Sequence, residues 1–443
     1  MKIILGDEFD LNEEEHCMLQ SLYSRDHTSM VSHVEDHKHD NTTSFLKKYY
    51  IGYNHKSIGE GGNIRFYIEN VPSIVATVFQ DYKYYRGQES STRYIDFSSN
   101  GFYDAIDNNL SNQVMTTWYE FYLTKFEELF NYNLTIFEKP ESSKEEIWKK
   151  SVKARTFDIM RGFLPVGYLT SFSWVIDLAS CYDNLIDISF HPLEPVRECA
   201  KECLRIAKEK YPTTFCKTEY DEKLKFLDKY SKECNYLSFP NSIENKEIKI
   251  NLYKDFSYVH NISMKTLSDY GNMISERPRG IYLRMLDSLG DINYTFSLDF
   301  GCYRDLHRHR NDKIFMNILN TDFGFHEWYI NQFPEAMRTG IRKLVEFQFE
   351  KINTIEQDVG YEKSQYLYPL GTILPVELRC SLPQSVYISE LRSQKTVHPI
   401  LRSIAQKIGK AVIDISPKYN IYVDFDENDF SIKRGNQDIT KIS

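Results

Sequence analysis

The stretch Tyr303-Arg304-Asp305-Leu306-His307-Arg308-His309-Arg310 gathers the groups best suited to chemistry. Arg304, Arg308, Arg310 and Lys313, with His307 and His309, fall within ten residues, against Asp305 and Asp312. Guanidinium forks match phosphate oxygens in pairs, so such a cluster suits a phosphorylated ligand. The plainer reading is a basic turn paired with surface carboxylates. The chain is acidic overall, with a formal net charge of −9, so the reversal of sign is local. This balance argues against a general nucleic-acid binder, which needs a basic face. It leaves room for an anionic ligand in a basic pocket.

A second group lies in Gln88-Glu89-Ser90-Ser91-Thr92-Arg93-Tyr94. Ser91 and Arg93 supply a hydroxyl and a guanidinium two residues apart. On an extended segment they share one face with Glu89. The plainer reading is a capped turn with an ion pair. His33, His37 and His39 stand among acidic residues, but no ligand spacing supports a metal, and a solvated loop is expected. The eight cysteines form no C-x-x-C pair. Cys199 and Cys203, four apart, read as core on a helix face, no metal site is expected, and a reducing cytoplasm is the default.

The elements that must position these groups alternate between strand and helix. A length of 443 residues allows two or three domains. The N-terminus is too short and acidic for a signal peptide, and the apolar stretch 163–178 is too short and polar to span a bilayer. Residues 1–45 read as polar loop. Asn63 to Glu69 alternates as a strand, and Val71 to Tyr82 follows as a short buried helix started near Pro72. Val114, Trp118, Phe121, Tyr122, Phe126, Leu129 and Phe130 mark one face of a long helix. Another helix ends before Leu164-Pro165, and 168–188 reads as a mostly buried helix. His191-Pro192 precedes an amphipathic helix, and Ile248, Ile250 and Leu252 alternate like a strand.

The second half replays this order. Asn293 to Leu298 reads as a strand and Ile341 to Ile355 as an amphipathic helix. Tyr368-Pro369-Leu370 matches Leu164-Pro165-Val166, and His398-Pro399 matches His191-Pro192, each before an amphipathic helix. Ile421 to Phe425 matches the strand expected at 248–253. The fold class is therefore mixed α/β (α+β), as two tandem copies of one unit. Each copy is expected to be a small, mostly antiparallel sheet packed with long helices. The copies are assigned to 1–258 and 259–443.

With His55-Lys56-Ser57-Ile58-Gly59-Glu60 before the first strand and Gln88 to Tyr94 after its helix, the chain resembles the flavin-dependent thymidylate synthases. It is closest to their long, duplicated form. That family carries Arg-His-Arg, seven residues, then Ser with Arg shortly after. Copy one keeps Ser91 and Arg93 but has Asp81-Tyr82-Lys83 in place of Arg-His-Arg. Copy two keeps Arg308-His309-Arg310 but has Ile318 eight residues on. Glu390-Leu391-Arg392-Ser393 aligns with the family's late arginine, where copy one offers Ile188 or Leu185.

The resemblance implies reductive methylation of dUMP to dTMP, with FAD as cofactor and NADPH and methylenetetrahydrofolate as co-substrates. It implies that Gln88, Glu89, Ser91, Arg93 and Arg392 bind the nucleotide, with Arg392 also catalytic at the uracil carbonyl. Arg392 reads equally as an arginine facing the carbonyls at a helix C-terminus. His55, Glu60, Arg304, Arg308, His309 and Arg310 would hold FAD, although His55 and Glu60 read equally as an exposed cap. The family's sites lie between subunits, so a homodimer imitating a tetramer follows, with no membrane and no nucleic-acid partner. Two alternatives stay open: a non-catalytic nucleotide- or flavin-binding protein on this scaffold, and a flavoenzyme methylating another pyrimidine nucleotide.

Overall fold

The computed structural model describes residues 9–37, 41–234, 246–310, 313–314, 318–428 and 430–431. His39, Asp312 and the N-terminal residues 1–7 lie outside them. The chain divides into two compact units. One comprises residues 1–71, 82–89 and 171–235; the other comprises 72–81, 90–170 and 236–443.

The first unit holds the two-stranded sheet of β1 (Asn63–Pro72) and β2 (Leu169–Asp177). β2 buries alternate residues, Thr170, Phe172, Trp174 and Ile176. The helix expected over 168–188 is therefore a strand followed by a helix, Leu178–Ile188. Asp177 makes the break, because its carboxylate accepts from Ser180 N at 2.7 Å and caps the helix. A polar Thr pointing inward and Val175 pointing outward blurred the two-residue period. Residues 1–45 are not loop: helices run over Glu13–Tyr23, Met30–His37 and Thr42–Leu46. His33 is buried with its ring Nε2 2.8 Å from Thr28 Oγ1, so the solvated-loop reading fails there.

The second unit holds a four-stranded antiparallel sheet in the order β3-β4-β6-β5. Its strands are β3 (Ser257–His260), β4 (Asp291–Asp299), β5 (Lys313–Ile314) and β6 (Ile373–Ser381). β4 turns Ile292, Tyr294, Phe296 and Leu298 into the core, as alternation requires. The long helices Asn109–Ile136 and Glu335–Val359 lie in this unit. Asn108 caps the first in a capping box with Ser111, and Gly360, at φ 84°, ends the second. Trp118 and Tyr122 are buried, and Gln348 Nε2 donates to Val114 O at 3.2 Å between the two helices.

The same order of elements occurs twice. Strand β1 runs into the helix Ser73–Asp81 as β4 runs into Phe300–Leu306. β2 runs into Leu178–Ile188 and Glu194–Lys210 as β6 runs into Leu382–Arg392 and Pro399–Ile415. The two Leu/Tyr-Pro landmarks meet each other. Val166 N donates to Tyr368 O at 2.7 Å, and Leu370 N donates to Leu164 O at 2.8 Å. Gly167 N to Tyr366 O (2.9 Å) is mirrored by Gly371 N to Gly162 O (2.8 Å). Each bond has its reciprocal, as across a two-fold axis.

Two expected strands are not formed. Ile248, Ile250 and Leu252 lie in the helix Lys246–Lys254; alternation over five residues does not distinguish the two periods. Residues 421–425 are extended without a ladder. Their backbone is satisfied by side chains instead: Tyr422 N donates to Glu390 Oε1 and Asp424 N to Ser393 Oγ, both at 3.0 Å.

Candidate functional site

The Arg308-His309-Arg310 turn follows directly on the helix Phe300–Leu306 in the second unit. Asp299 ends β4 and caps that helix, accepting from Cys302 N at 3.0 Å. A cleft of about 840 Å³ opens beside the turn. Arg308, Arg310, Lys313, Arg284 and Arg379 line it, against Asp287 and Asp291. Arg379 pairs with Asp291 at 2.9 Å. Arg308 is half-buried, and its guanidinium has no protein hydrogen-bond partner among the described residues.

Arg392, the last residue of its helix, joins this turn. Its Nε donates to His309 Nε2 at 2.8 Å, and its Nη2 donates to Asp305 O at 2.7 Å. An Nε2 that accepts must be unprotonated, so the His309 proton sits on Nδ1. Burial, then the Arg392 charge, holds His309 well below its ordinary value. Burial also lowers Arg392; Asp305 opposes the shift, and Arg308 adds to it. Arg392 Nη1 keeps no protein acceptor among the described residues.

Below the turn, charged groups from both halves of the sequence meet. Arg161 Nη1 binds Asp305 Oδ2 at 2.9 Å, with its own side chain 1% exposed. Arg93 grips Asp158 through Nε at 2.8 Å and Nη2 at 3.4 Å, and Nη2 also reaches Thr396 O at 3.0 Å. Burial opposes ionisation of Asp305, yet the Arg161, Arg93, Arg308 and Arg392 guanidiniums hold its carboxyl well below the usual range. His307 Nε2 lies 2.7 Å from Asp81 Oδ1. An acid from the first set of repeated elements thus partners a histidine from the second.

The structure brings Arg93, Arg308, His309 and Arg392 together, but Arg93 faces inward. Residues 91–95 form a turn, not an extended segment: Ile95 N donates to Ser91 O at 3.0 Å, and Arg93 N donates to Ser91 Oγ at 3.3 Å. The shared face expected for Glu89, Ser91 and Arg93 does not form, because the serine closes its own turn. Arg304 is buried with its guanidinium 5.6 Å from the centre of the Tyr168 ring, outside the cleft lining. Arg310 is exposed.

His55, Glu60, Gln88 and Glu89 belong to the other unit. His55 and Glu60 are exposed at the two ends of the short helix Lys56–Gly59, and His55 makes no side-chain capping bond. Gln88 and Glu89 run beside β2, with Ser173 N donating to Gln88 O at 2.8 Å and Glu89 bridged to Phe172. Asp158 and Arg161 escaped the sequence reading, and Asp305 and His398 entered it only as a neighbour of the basic cluster and as a landmark. His398 Nε2 lies 3.2 Å from Asp158 O, and its Nδ1 lies 3.2 Å from Cys302 Sγ. The His398-Pro399 landmark was the one available hint. Among the described residues, no group of three His, Cys, Asp or Glu could hold a metal, and no helix is long and apolar enough to cross a membrane.

The family model of thymidylate synthase complementing protein, the flavin-dependent type, matches residues 12–213. The chain is also 24% identical over 495 aligned residues to a UPF0159 protein of Chlamydia pneumoniae, covering all of this chain and 90% of that one. It is 24% identical to a UPF0159 protein of Chlamydia muridarum, over 87% of this chain and 82% of that one. A UPF0159 protein of Thermoplasma acidophilum is 27% identical over 34% of this chain and 31% of its own length. The matched thymidylate synthase segment carries Asp81, Ser91, Arg93, Asp158 and Arg161. The intact Arg-His-Arg and Arg392 lie beyond it, in the second set of repeated elements.

Proposed function

We propose that the chain is an FAD-dependent thymidylate synthase-like enzyme. It would convert dUMP to dTMP with methylenetetrahydrofolate and NADPH, as a homodimer of duplicated chains. The observation that carries this reading is the Arg308 guanidinium, without a hydrogen-bond partner among the described residues, in a basic cleft beside the Arg392–His309 pair.

The residues present fit FAD. Five cationic side chains against two carboxylates suit a pyrophosphate, and a cleft of about 840 Å³ has room for a dinucleotide. Arg308, Arg310 and Lys313 would hold the phosphates. When bound, FAD supplies the hydride for the reduction. Arg392 would donate through Nη1 to a pyrimidine carbonyl and stabilise negative charge as the neighbouring carbon becomes nucleophilic. Neutral His309 fixes Arg392 by accepting from Nε. The Cys302 thiol, pushed well up by burial and then by Asp299, is no nucleophile. Ser91 and Arg93 brace this site instead of touching the nucleotide. The non-catalytic reading is favoured by one observation, the burial of Arg93 against Asp158.

Flavin absorbance during titration with FAD tests binding, and light scattering tests the dimer. The wild type binds FAD, and Arg308→Ala weakens it by about ten-fold or more. Oxidation of the reduced flavin by methylenetetrahydrofolate should then depend on dUMP. Binding without dUMP-dependent oxidation sinks the enzymatic reading and leaves the binding one. No FAD binding at all sinks the enzymatic reading and the flavin-binding one.

A further inference from the structure

A second cavity of about 340 Å³ lies in the same compact unit, with a lining that shares no residue with the basic cleft. Its walls include Phe256, Phe296, Trp328 and Ile404, and Lys254 and Lys407 line it as well. We propose that this cavity binds a small planar aromatic anion.

Three observations carry the proposal. The aromatic walls are fixed in place. Phe256 stacks on Phe296 with ring centres 5.9 Å apart and planes at 22°. Trp328 is held between the Arg155 guanidinium, 4.9 Å from its ring centre, and the His398 ring at 4.7 Å. A planar ring lying against such walls buries apolar surface without reordering them.

The polar groups here are donors. His326 Nδ1 accepts from Trp328 N at 3.2 Å, so in the neutral ring the proton sits on Nε2. Burial lowers the pKa of His326, which keeps the ring neutral. Neither His326 Nε2 nor Trp328 Nε1 has a protein acceptor among the described residues. Two ring N–H groups without acceptors favour a ligand that carries oxygen acceptors.

The lining carries lysines and no carboxylate. Lys254 and Lys407 are exposed, and neither has an ion-pair or hydrogen-bond partner among the described residues. The nearby carboxylate Glu327 is taken by Arg342 at 2.9 Å. Flexible ammoniums over an apolar floor suit a carboxylate or sulfonate attached to an aromatic ring. A cavity of this size lies at the small end of ligand pockets, which fits one or two fused rings.

Isothermal titration of the full-length protein with 2-naphthoate tests this. The wild type should bind one equivalent saturably, and the neutral isostere 2-naphthylmethanol should bind about ten-fold more weakly. The double variant Lys254→Gln/Lys407→Gln changes only exposed side chains and should fold normally. It should bind naphthoate about ten-fold more weakly and the alcohol as before. Arg308→Ala should leave naphthoate binding unchanged. Absence of saturable binding, equal affinity in the double lysine variant, or an equal loss in Arg308→Ala would each overturn the proposal.

Discussion

Two pairs of matched positions differ in what surrounds them in the two halves of the chain. Eight residues past each strand–helix junction stand Asp81 and Arg308. Ten residues past the next junction stand Ile188 and Arg392. In the second half both are arginines, and each retains a guanidinium edge with no hydrogen-bond partner among the described residues. In the first half one is an acid bound to His307 and the other is a fully buried aliphatic. Equal helix lengths of 11 residues settle which residue matches Arg392: it is Ile188, and Leu185 falls a turn short. The difference teaches that the first half holds both positions in buried contacts, while the second half turns Arg308 to a cleft and sets Arg392 against His309 at its edge.

The largest effect should come from the strut between the halves. Arg161→Met leaves Asp305 buried beside the remaining arginines without its closest partner. Breaking a buried pair in this way costs about 3–5 kcal/mol. Thermal unfolding should show a correspondingly large fall. Adding Asp305→Asn should recover part of it, because the orphaned charge is removed. Equal losses in the single and double variants would mean that the pair does not couple the halves.

A smaller effect separates Asp81 from Arg308. Asp81→Ala removes the acceptor of a buried histidine and should cost about 1–3 kcal/mol of stability. Arg308→Ala removes a group with no hydrogen bond among the described residues, so its stability should change by under about 0.5 kcal/mol. The binding of FAD should respond in the opposite sense: strongly to Arg308 and little to Asp81. If Asp81→Ala weakened the ligand as much as Arg308→Ala, the contrast between inward and outward positions would collapse.

Much of this contrast was legible in the order of residues. Pro165 and Pro369, the two His-Pro steps and the period of the long helices are local signals, and the structure reproduces them. Arg308-His309-Arg310 was legible for the same reason, since all its charges are consecutive. The partners were not. Arg93 meets Asp158 across 65 residues and Arg161 meets Asp305 across 144, and nothing near either arginine marks the acid it will find. Strand β2 was misread because its inward face includes Thr170 and its outward face includes Leu169 and Val175, which weakens the alternation on which a strand depends. Residues 421–425 look like a strand in composition. A strand also needs a free edge, and here Glu390 and Ser393 take the backbone first.

The two His-Pro landmarks give the finest comparison, because here the halves agree. His191 is held down to about 3 by burial and then by Arg197, and its Nδ1 accepts from Leu193 N at 3.2 Å. His398 is held well below its ordinary value by burial and then by Arg161. A folded-state value below the unfolded one, about 6.5, means stability that is fully present above that pH and is lost as pH falls below it, because the unfolded ring takes up a proton first. Each such ring should lower stability by about 0.7 kcal/mol between pH 7 and pH 6. Thermal unfolding at both pH values, compared between wild type and His398→Gln, isolates one ring. The variant starts less stable, but its loss between pH 7 and pH 6 should be smaller by that amount, and His191→Gln should behave alike. A slope unchanged by His398→Gln would place a proton on the folded ring, and the network through Asp158 and Cys302 would then have to be rebuilt around an imidazolium.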